Sequence, residues 1–340
     1  MTKKKDTWIF IEQTDGQIAD VSLELLAKAG ELARTLGGQV WALLFGYQID
    51  YLAQRVIHYG ADRVLLADHP ELELYRTLPY CRVAVDLIEK YHPNIFLVGA
   101  TPLGRDLAPR VASSLQVGLT ADCTDLQIGD YLLRKEKKVY KDLLYQIRPA
   151  FGGNLIATIV NPKTEPQMAT VREGVMQANQ PDTTRHGEIE KVESAFKPED
   201  FALKILSREV REPSVKLKDA PVIVAGGGGV SDPKEFQLIE ELAHILGGEV
   251  GASRAAVDAG LVSKEHQIGQ TGITVRPRLY IAAGISGAVQ HRSGMEESNK
   301  IIAINTDPDV PIFQVAHYKI VGDLGEVLPL LIKALREKAR

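Results

Sequence analysis

Between Pro221 and Leu324 the chain carries five short loops bearing glycine, serine or asparagine, each placed where a buried strand would end. They read GGGGVSD from Gly226, VGASRAAVDAG from Val250, IGQTG from Ile268, GISGAVQH from Gly284 and INTD from Ile304. Open parallel sheets bind nucleotides in the crevice outside the carboxyl ends of their strands. Five such loops within about a hundred residues point to one large nucleotide ligand. Nucleophilic and hydrolytic catalysis find no support: there is no G-x-S-x-G, no Walker motif and no pair of carboxylates that spacing alone would justify.

Each loop also has an ordinary structural reading. Gly226-x-Gly228-x-x-Ser231 follows a strand and precedes a helix, like a dinucleotide fingerprint, but its third glycine is missing. The acid expected about 20 residues further on is also absent, and Ser253 stands near its place. A plain NAD-binding unit is therefore disfavoured, and a tight turn is the alternative. Arg254 opens a helix expected over Ala255–Ala259, where a cation opposes the helix dipole. It suggests an anionic or electron-rich partner, or else a surface ion pair. Gln270-Thr271-Gly272 offers an amide, a hydroxyl and backbone N–H groups, which suit a ring edge of alternating donors and acceptors such as isoalloxazine. Gly284–His291 presents N–H groups at an expected helix start, a ready pyrophosphate site, with Ser286 adding a hydroxyl. His291 can donate to a carbonyl of a reduced ring, although a lone histidine is more often a packing residue. Asn305, Asp307 and Asp323 end strands, where they can read ribose hydroxyls or simply cap turns.

The elements that would position these loops are those of two α/β domains. A length of 340 residues fits two domains, and 45% hydrophobic and 25% charged residues are ordinary for a globular protein. A net charge of −4 gives no reason to expect nucleic acid as a partner. No apolar run suggests a transmembrane segment or signal peptide, so a cytoplasmic location is expected. Cys81 and Cys123 read as buried free thiols, and no histidine pattern indicates a metal site.

In the first half, strands at Thr7–Glu12, Val40–Phe45, Val64–Ala67 and Ile95–Val98 alternate with helices at Val21–Leu36, Asp50–Tyr59 and Thr77–Tyr91. That order implies a mostly parallel sheet with helices on both faces. From Gly118 to Val171 the pattern becomes hairpin-like, with strands at Ala121–Ile128, Lys138–Arg148, Asn154–Val160 and Gln167–Val171. An antiparallel extension of the first sheet is expected there. Gln180–Lys218 is charged and proline-punctuated, and reads as a linker (roughly 180–218) with one or two packed segments, Phe201–Ile205 among them. The expected division is an N-terminal α/β domain over 1–205 and a Rossmann-like C-terminal domain over 206–340.

Taken in order, GASRAAVDAG, IGQTG, LYIAAGISGAVQH and IIAINTDPDVPIFQVAHYKIVGDL closely resemble the carboxyl-terminal domain of the electron-transfer flavoprotein alpha subunit. FLVGATPLGRDLAPRVASSLQVGLTADCTDL and RPAFGGNLIATI extend the resemblance into the first half. The resemblance implies a heterodimer with a beta subunit that the N-terminal domain contacts, and one FAD in the C-terminal domain. The implied FAD contacts are Gly228, Ser253, Arg254, Ile268, Gly269, Gln270, Thr271, Ser286, Gly287, Ala288, Val289, Gln290, His291, Asn305, Asp323 and Leu324. By the same resemblance, Arg254 lies over the isoalloxazine, Thr271 faces N5 and His291 lies near the C2 carbonyl. Ser286–Gln290 hold the ring edge and phosphate side, and Asn305, Asp323 and Leu324 serve the adenosine half. Members of the family often carry GGRG in the first loop; Gly228 stands where that arginine would be, which removes one charge-assisted contact.

The resemblance further implies an electron carrier, not a converter of metabolites, with a mobile linker and an acyl-CoA dehydrogenase-type or other flavin dehydrogenase as partner. Two branches remain open within it. In one, NADH reduces a second FAD in the beta subunit and the electrons bifurcate, one to ferredoxin; the first-half segments favour this branch. In the other, the beta subunit holds AMP and the complex only relays electrons. A two-domain NAD(P)-dependent dehydrogenase is the remote alternative, opposed by the missing ribose-binding acid.

Overall fold

The computed structural model describes residues 5–150, 155–209 and 215–338. The FGGN stretch at 151–154, and with it the expected strand start at Asn154, lies outside the described residues, as do 210–214 of the expected linker. Backbone contacts divide the chain into two compact units, Met1–Arg208 and Glu209–Arg340.

The first unit runs β1 (Thr7–Ile11), a small hairpin of β2 (Gln13–Thr14) and β3 (Gln17–Ile18), α1 (Asp20–Leu36), β4 (Val40–Gly46), α2 (Asp50–His58) and β5 (Arg63–Asp68). It continues through α3 (Thr77–Tyr91), β6 (Ile95–Gly99), α4 (Pro102–Leu115), β7 (Leu119–Cys123), β8 (Asp125–Leu133), β9 (Lys138–Ala150), β10 (Leu155–Ile159), β11 (Gln167–Val171) and β12 (Glu188–Lys191). Among the described residues a seven-stranded parallel sheet is ordered β12-β5-β4-β1-β6-β11-β7. Its central strands are buried on both faces, so their sequences are continuous apolar runs. In β1, Ile9 and Ile11 pack with Leu25, Leu26 and Ala29 of α1, while Trp8 and Phe10 pack with Val83, Leu87 and Ile88 of α3. Glycine closes α1: Gly37 takes φ 69° and donates its N–H to the Ala33 carbonyl. Cys81 and Cys123 are both buried and free, as read.

The antiparallel part is present, but as a sheet of its own ordered β10-β9-β8. The strand expected over Ala121–Ile128 is two strands. β7 ends at Cys123 on the edge of the parallel sheet, and β8 starts at Asp125 in the antiparallel one. Asp122, with φ 61°, sits at that corner; its carboxylate pairs with Arg172 at 2.7 Å, and the Thr124 N–H reaches the Ile147 carbonyl at 2.8 Å. Gln167–Val171, expected among the hairpins, pairs parallel with β6 and β7. Its five residues are all buried, and alternation cannot tell such a strand from a hairpin arm.

Much of the stretch expected as linker belongs to the first unit. Glu188–Lys191 forms β12, parallel to β5, with Arg63 between Glu188 and Glu190. Sequence pattern hides this strand because EIEK is a four-residue edge held by ion pairs rather than by an apolar face. Packing in this stretch centres just before Phe201–Ile205, of which Phe201 alone takes part, its ring 5.4 Å from that of Phe196. Val192 and Phe196 join the core, and the buried Asp200 accepts from the Lys197 N–H at 2.8 Å and meets Arg82 Nε at 3.2 Å. Leu203 and Ile205 are exposed. Asp200→Ala should release this strap at a local cost of about 1–3 kcal/mol. Limited proteolysis then cuts within 192–208 several-fold faster, and an unchanged rate refutes the strap.

The second unit runs β13 (Val222–Gly226), α5 (Pro233–Ile245), β14 (Glu249–Ala252), α6 (Arg254–Asp258), β15 (Leu279–Ala283), α7 (Val289–Arg292), β16 (Ile301–Asn305), β17 (Tyr318–Val321) and α8 (Leu324–Lys338). Its described strands form one parallel sheet, β14-β13-β15-β16-β17. One face is covered by α5 and α8, through Phe236, Ile239, Leu242, Leu328 and Ile332 around Val224 and Ile281. The other face is covered largely by loop residues, among them Ile268, Val275, Ile285, Val310, Ile312 and Phe313. The segments read as ligand loops therefore also roof the sheet.

Candidate functional site

In the second sheet the strand order reverses between β13 and β15. This is where an open parallel sheet leaves a crevice at its carboxyl edge. The loops after these two strands are bonded together: the Gly227 N–H donates to the Ala283 carbonyl at 2.9 Å, and the Gly229 N–H to the Gly284 carbonyl at 2.8 Å. A Cβ on Gly227 would fall 2.2 Å from the Gly284 carbonyl oxygen, so only glycine allows the approach. Gly228 projects outward instead. It is exposed, and a Cβ there would meet only the Ala255 Cβ, at 3.3 Å.

After β14, the Ser253 N–H donates to the Gly226 carbonyl at 2.9 Å, and its buried side chain caps α6 by accepting from the Ala256 N–H at 3.4 Å. Arg254 opens α6 with its side chain 72% exposed and its Nε 3.2 Å from Asp258 Oδ2. α6 has only five residues, so its dipole opposes that charge weakly; Asp258 is the stronger local influence. The turn at 268–271 returns to the same edge. The Ile268 N–H donates to the Ala252 carbonyl at 2.9 Å and the Gln270 N–H to the Gln290 carbonyl at 2.7 Å. Gly269 takes φ 138°, and Thr271 Oγ1 accepts from Gln267 Nε2 at 3.0 Å. The Gln270 and Thr271 side chains are exposed.

After β15, Ser286 is exposed, and Gly287 turns the chain with φ 81° against the backbone of Ile312. Ala288, Val289, Gln290 and His291 follow, but α7 is a single turn of four residues, so it brings free N–H groups with little dipole. Asn305 ties its strand end to this loop: its Nδ2 donates to the Ile285 carbonyl at 3.1 Å, and its Oδ1 accepts from the Asp307 N–H at 3.0 Å. Asp323 caps the start of α8 by accepting from the Gly325 N–H at 2.7 Å, and Leu324 is buried beside Gly284. All the residues singled out by sequence thus follow carboxyl ends of the sheet or the turn beside them. The carboxylate of Asp323 and the amide of Asn305 already serve as caps.

His291 is a buried polar side chain at this edge, as Ser253 is. It is 6% exposed, its Nε2 lies 3.0 Å from the Tyr280 hydroxyl, and its Nδ1 completes no hydrogen bond of good geometry among the described residues, although the Ile268 backbone acts on the same ring. Burial pulls its pKa down to about 4, with the Ile268 backbone opposing only in part. The imidazole is therefore neutral at pH 7. A histidine that binds its proton less readily when folded destabilises the fold as pH falls from about 6.5 towards about 4. Stability is full above this window and declines by about 3 kcal/mol across it. His291→Gln should flatten that part of the denaturation profile of the second unit, and an identical slope in the variant refutes the assignment. Tyr280 was missed in the sequence, where it reads as one apolar position of a buried strand.

An unpartnered polar atom in so buried a residue, beside turns whose glycines admit no side chain, fits a ligand that supplies its own acceptor or donor there. The described residues also shape a groove of about 370 Å³ between α5 and α8, but none of the crevice residues line it.

Residues 7–197 match the family described as Electron transfer flavoprotein domain, and residues 216–296 match the Electron transfer flavoprotein FAD-binding domain. The Electron transfer flavoprotein subunit alpha of Thermoanaerobacterium thermosaccharolyticum is 48% identical over 339 residues, covering 99% of this chain and 99% of the relative. The chain belongs to the electron transfer flavoprotein alpha-subunit family. Its counterpart in Megasphaera elsdenii is 46% identical over 341 residues, covering 99% of this chain and 98% of the relative. A third relative, the Lactate dehydrogenase (NAD(+),ferredoxin) subunit LctC of Acetobacterium woodii, is 44% identical and covers 95% of this chain and 75% of its own length. Family membership bears out the resemblance read from the loop sequences and identifies the chain as an electron-carrier subunit. No helix of the described residues is long and apolar enough to cross a membrane.

Proposed function

We propose that this chain carries electrons on an FAD seated at the carboxyl edge of β13–β17, as the alpha subunit of a heterodimer with a beta subunit. The observation that carries the site is the buried, neutral His291 with its unpartnered Nδ1 beside the 268–271 turn. Bound there, FAD supplies reversible electron acceptance at its ring. The chain's residues do the rest. Arg254 keeps a permanent positive charge at the mouth, favouring negative charge on the ring. Ile268, Gly269, Gln270 and Thr271 offer backbone and side-chain groups to the ring edge. Ser286, Gly287, Ala288, Val289 and Gln290 line the ring and phosphate side with His291. Gly228 and Ser253 bring backbone close to phosphate, and Asn305, Asp323 and Leu324 border the adenosine half.

The first unit, extending to about residue 205, provides the contact with the beta subunit. Tyr131, Leu132, Val139, Leu155 and Ile156 of the antiparallel sheet are exposed apolar residues that support this. The printed name of the Acetobacterium woodii relative includes NAD(+) and ferredoxin, which supports a bifurcating complex for this chain too. In that complex NADH would supply two electrons, one for ferredoxin and one for an acyl-CoA dehydrogenase-type partner, and the residues named above would hold the FAD that serves the second path.

The test is to purify the chain with its beta subunit, count flavins and assay NADH-driven ferredoxin reduction. Two FAD per heterodimer with coupled ferredoxin reduction is the expected result. One FAD and one AMP without NADH oxidation replaces bifurcation by a simple relay. A colourless complex that refuses added FAD overturns the site itself.

A further inference from the structure

We propose that Tyr280 is a positioning residue for the carrier site: its hydroxyl donates to His291 Nε2 and so holds the ring proton on Nδ1, as a donor for a carbonyl-type acceptor of the bound FAD. The inference rests on the site proposed above and concerns how that site is set.

Tyr280 is the second residue of β15 and is fully buried. Burial raises its phenol pKa well above the usual range, so the hydroxyl keeps its proton. Its one described hydrogen-bond partner is His291 Nε2, at 3.0 Å. His291 is neutral, so its ring carries a single N–H. Only two arrangements satisfy the contact. If the Nε2–H donated to the phenol oxygen, the phenol O–H would have no acceptor and Nδ1 would be a bare, unpaired acceptor. If the phenol donates to Nε2, only Nδ1–H lacks a full hydrogen bond, and the Ile268 backbone acting on the ring favours a proton there. The second arrangement strands fewer buried polar groups, and buried groups without partners are what folded proteins avoid.

The consequence is directional. The unpaired group of the site becomes a donor, so it accepts a carbonyl oxygen and rejects another donor. His291 is also held in place by packing: a Cβ on Gly269 would fall 3.3 Å from the His291 Cα and 2.7 Å from the Gln290 carbonyl oxygen. With the backbone so fixed, the phenol sets the remaining freedom, which proton position the ring adopts.

The heterodimer labelled with ¹⁵N-histidine reports the tautomer directly, by long-range proton–nitrogen correlation in the FAD-free and FAD-loaded states. His291→Gln identifies the signal by removing it. The wild-type protein should show Nδ1–H in both states, and Tyr280→Phe should lose that bias in the FAD-free state. The variant should also bind FAD about fivefold more weakly, the worth of one neutral hydrogen bond, and shift the flavin midpoint potential. A role in packing alone would leave the tautomer unmoved. An Nε2–H tautomer in the wild-type protein overturns the proposal without any variant. So does a Tyr280→Phe protein that keeps Nδ1–H with unchanged affinity and potential. A wild-type complex that binds no FAD overturns the function proposed above, while the FAD-free tautomer still decides whether Tyr280 sets the ring.

Discussion

Replacing Arg254 by alanine lowers the midpoint potential of the bound flavin by roughly 40 mV for one electron, corresponding to about 1 kcal/mol of interaction in a wet site. The sign follows from charge. A guanidinium near the ring favours the state with more electrons, and removing it makes reduction harder. The modest size follows from exposure: the side chain is 72% exposed and already shares its charge with Asp258. Asp258→Asn should therefore move the potential the other way, because it leaves the same cation unpaired. Both shifts should shrink when salt rises from about 0.01 to 1 M, as screening shortens. Spectroelectrochemical titration of the heterodimer measures all three. Shifts of the same sign in the two variants would remove Arg254 from the site.

Two adjacent glycines should behave in opposite ways. Gly227→Ala puts a methyl group 2.2 Å from the Gly284 carbonyl, and backbone must move on both sides of the crevice. The expected loss is about 1–3 kcal/mol in stability, with FAD binding weakened about ten- to hundredfold. Gly228→Ala meets only the Ala255 Cβ, at 3.3 Å, and should keep its denaturant midpoint nearly unchanged. Flavin content after gel filtration, together with denaturant midpoints, distinguishes them. If Gly227→Ala keeps its flavin and its midpoint, the bonded loops do not shape the site.

Much of this was legible in the residues, for identifiable reasons. The helix over Thr77–Tyr91 was readable to the residue because a proline lies in its first turn and its apolar spacing is regular. The loops of the second unit were readable because five clusters of glycine, serine or asparagine each follow a buried apolar run. What was not legible depended on pairing across sequence distance. β12 is a charged four-residue edge whose strand character exists only beside Arg63. The break between β7 and β8 turns on Asp122 taking a positive φ against Arg172, fifty residues away. The dipole arguments for Arg254 and for the start of α7 carry little weight, because helices of five and four residues have weak dipoles. Tyr280 was invisible because a hydroxyl on a buried strand declares itself only through its partner, His291.

The three-stranded sheet of the first unit bears on how the protein must be made. β10 is an outer strand, and its Leu155 and Ile156 are 58% and 75% exposed. A copy synthesised without a companion to cover them would offer sticky ribbon to its siblings and tend to clump. If the proposed beta subunit covers this edge, chains made in excess of it should turn up in the pellet.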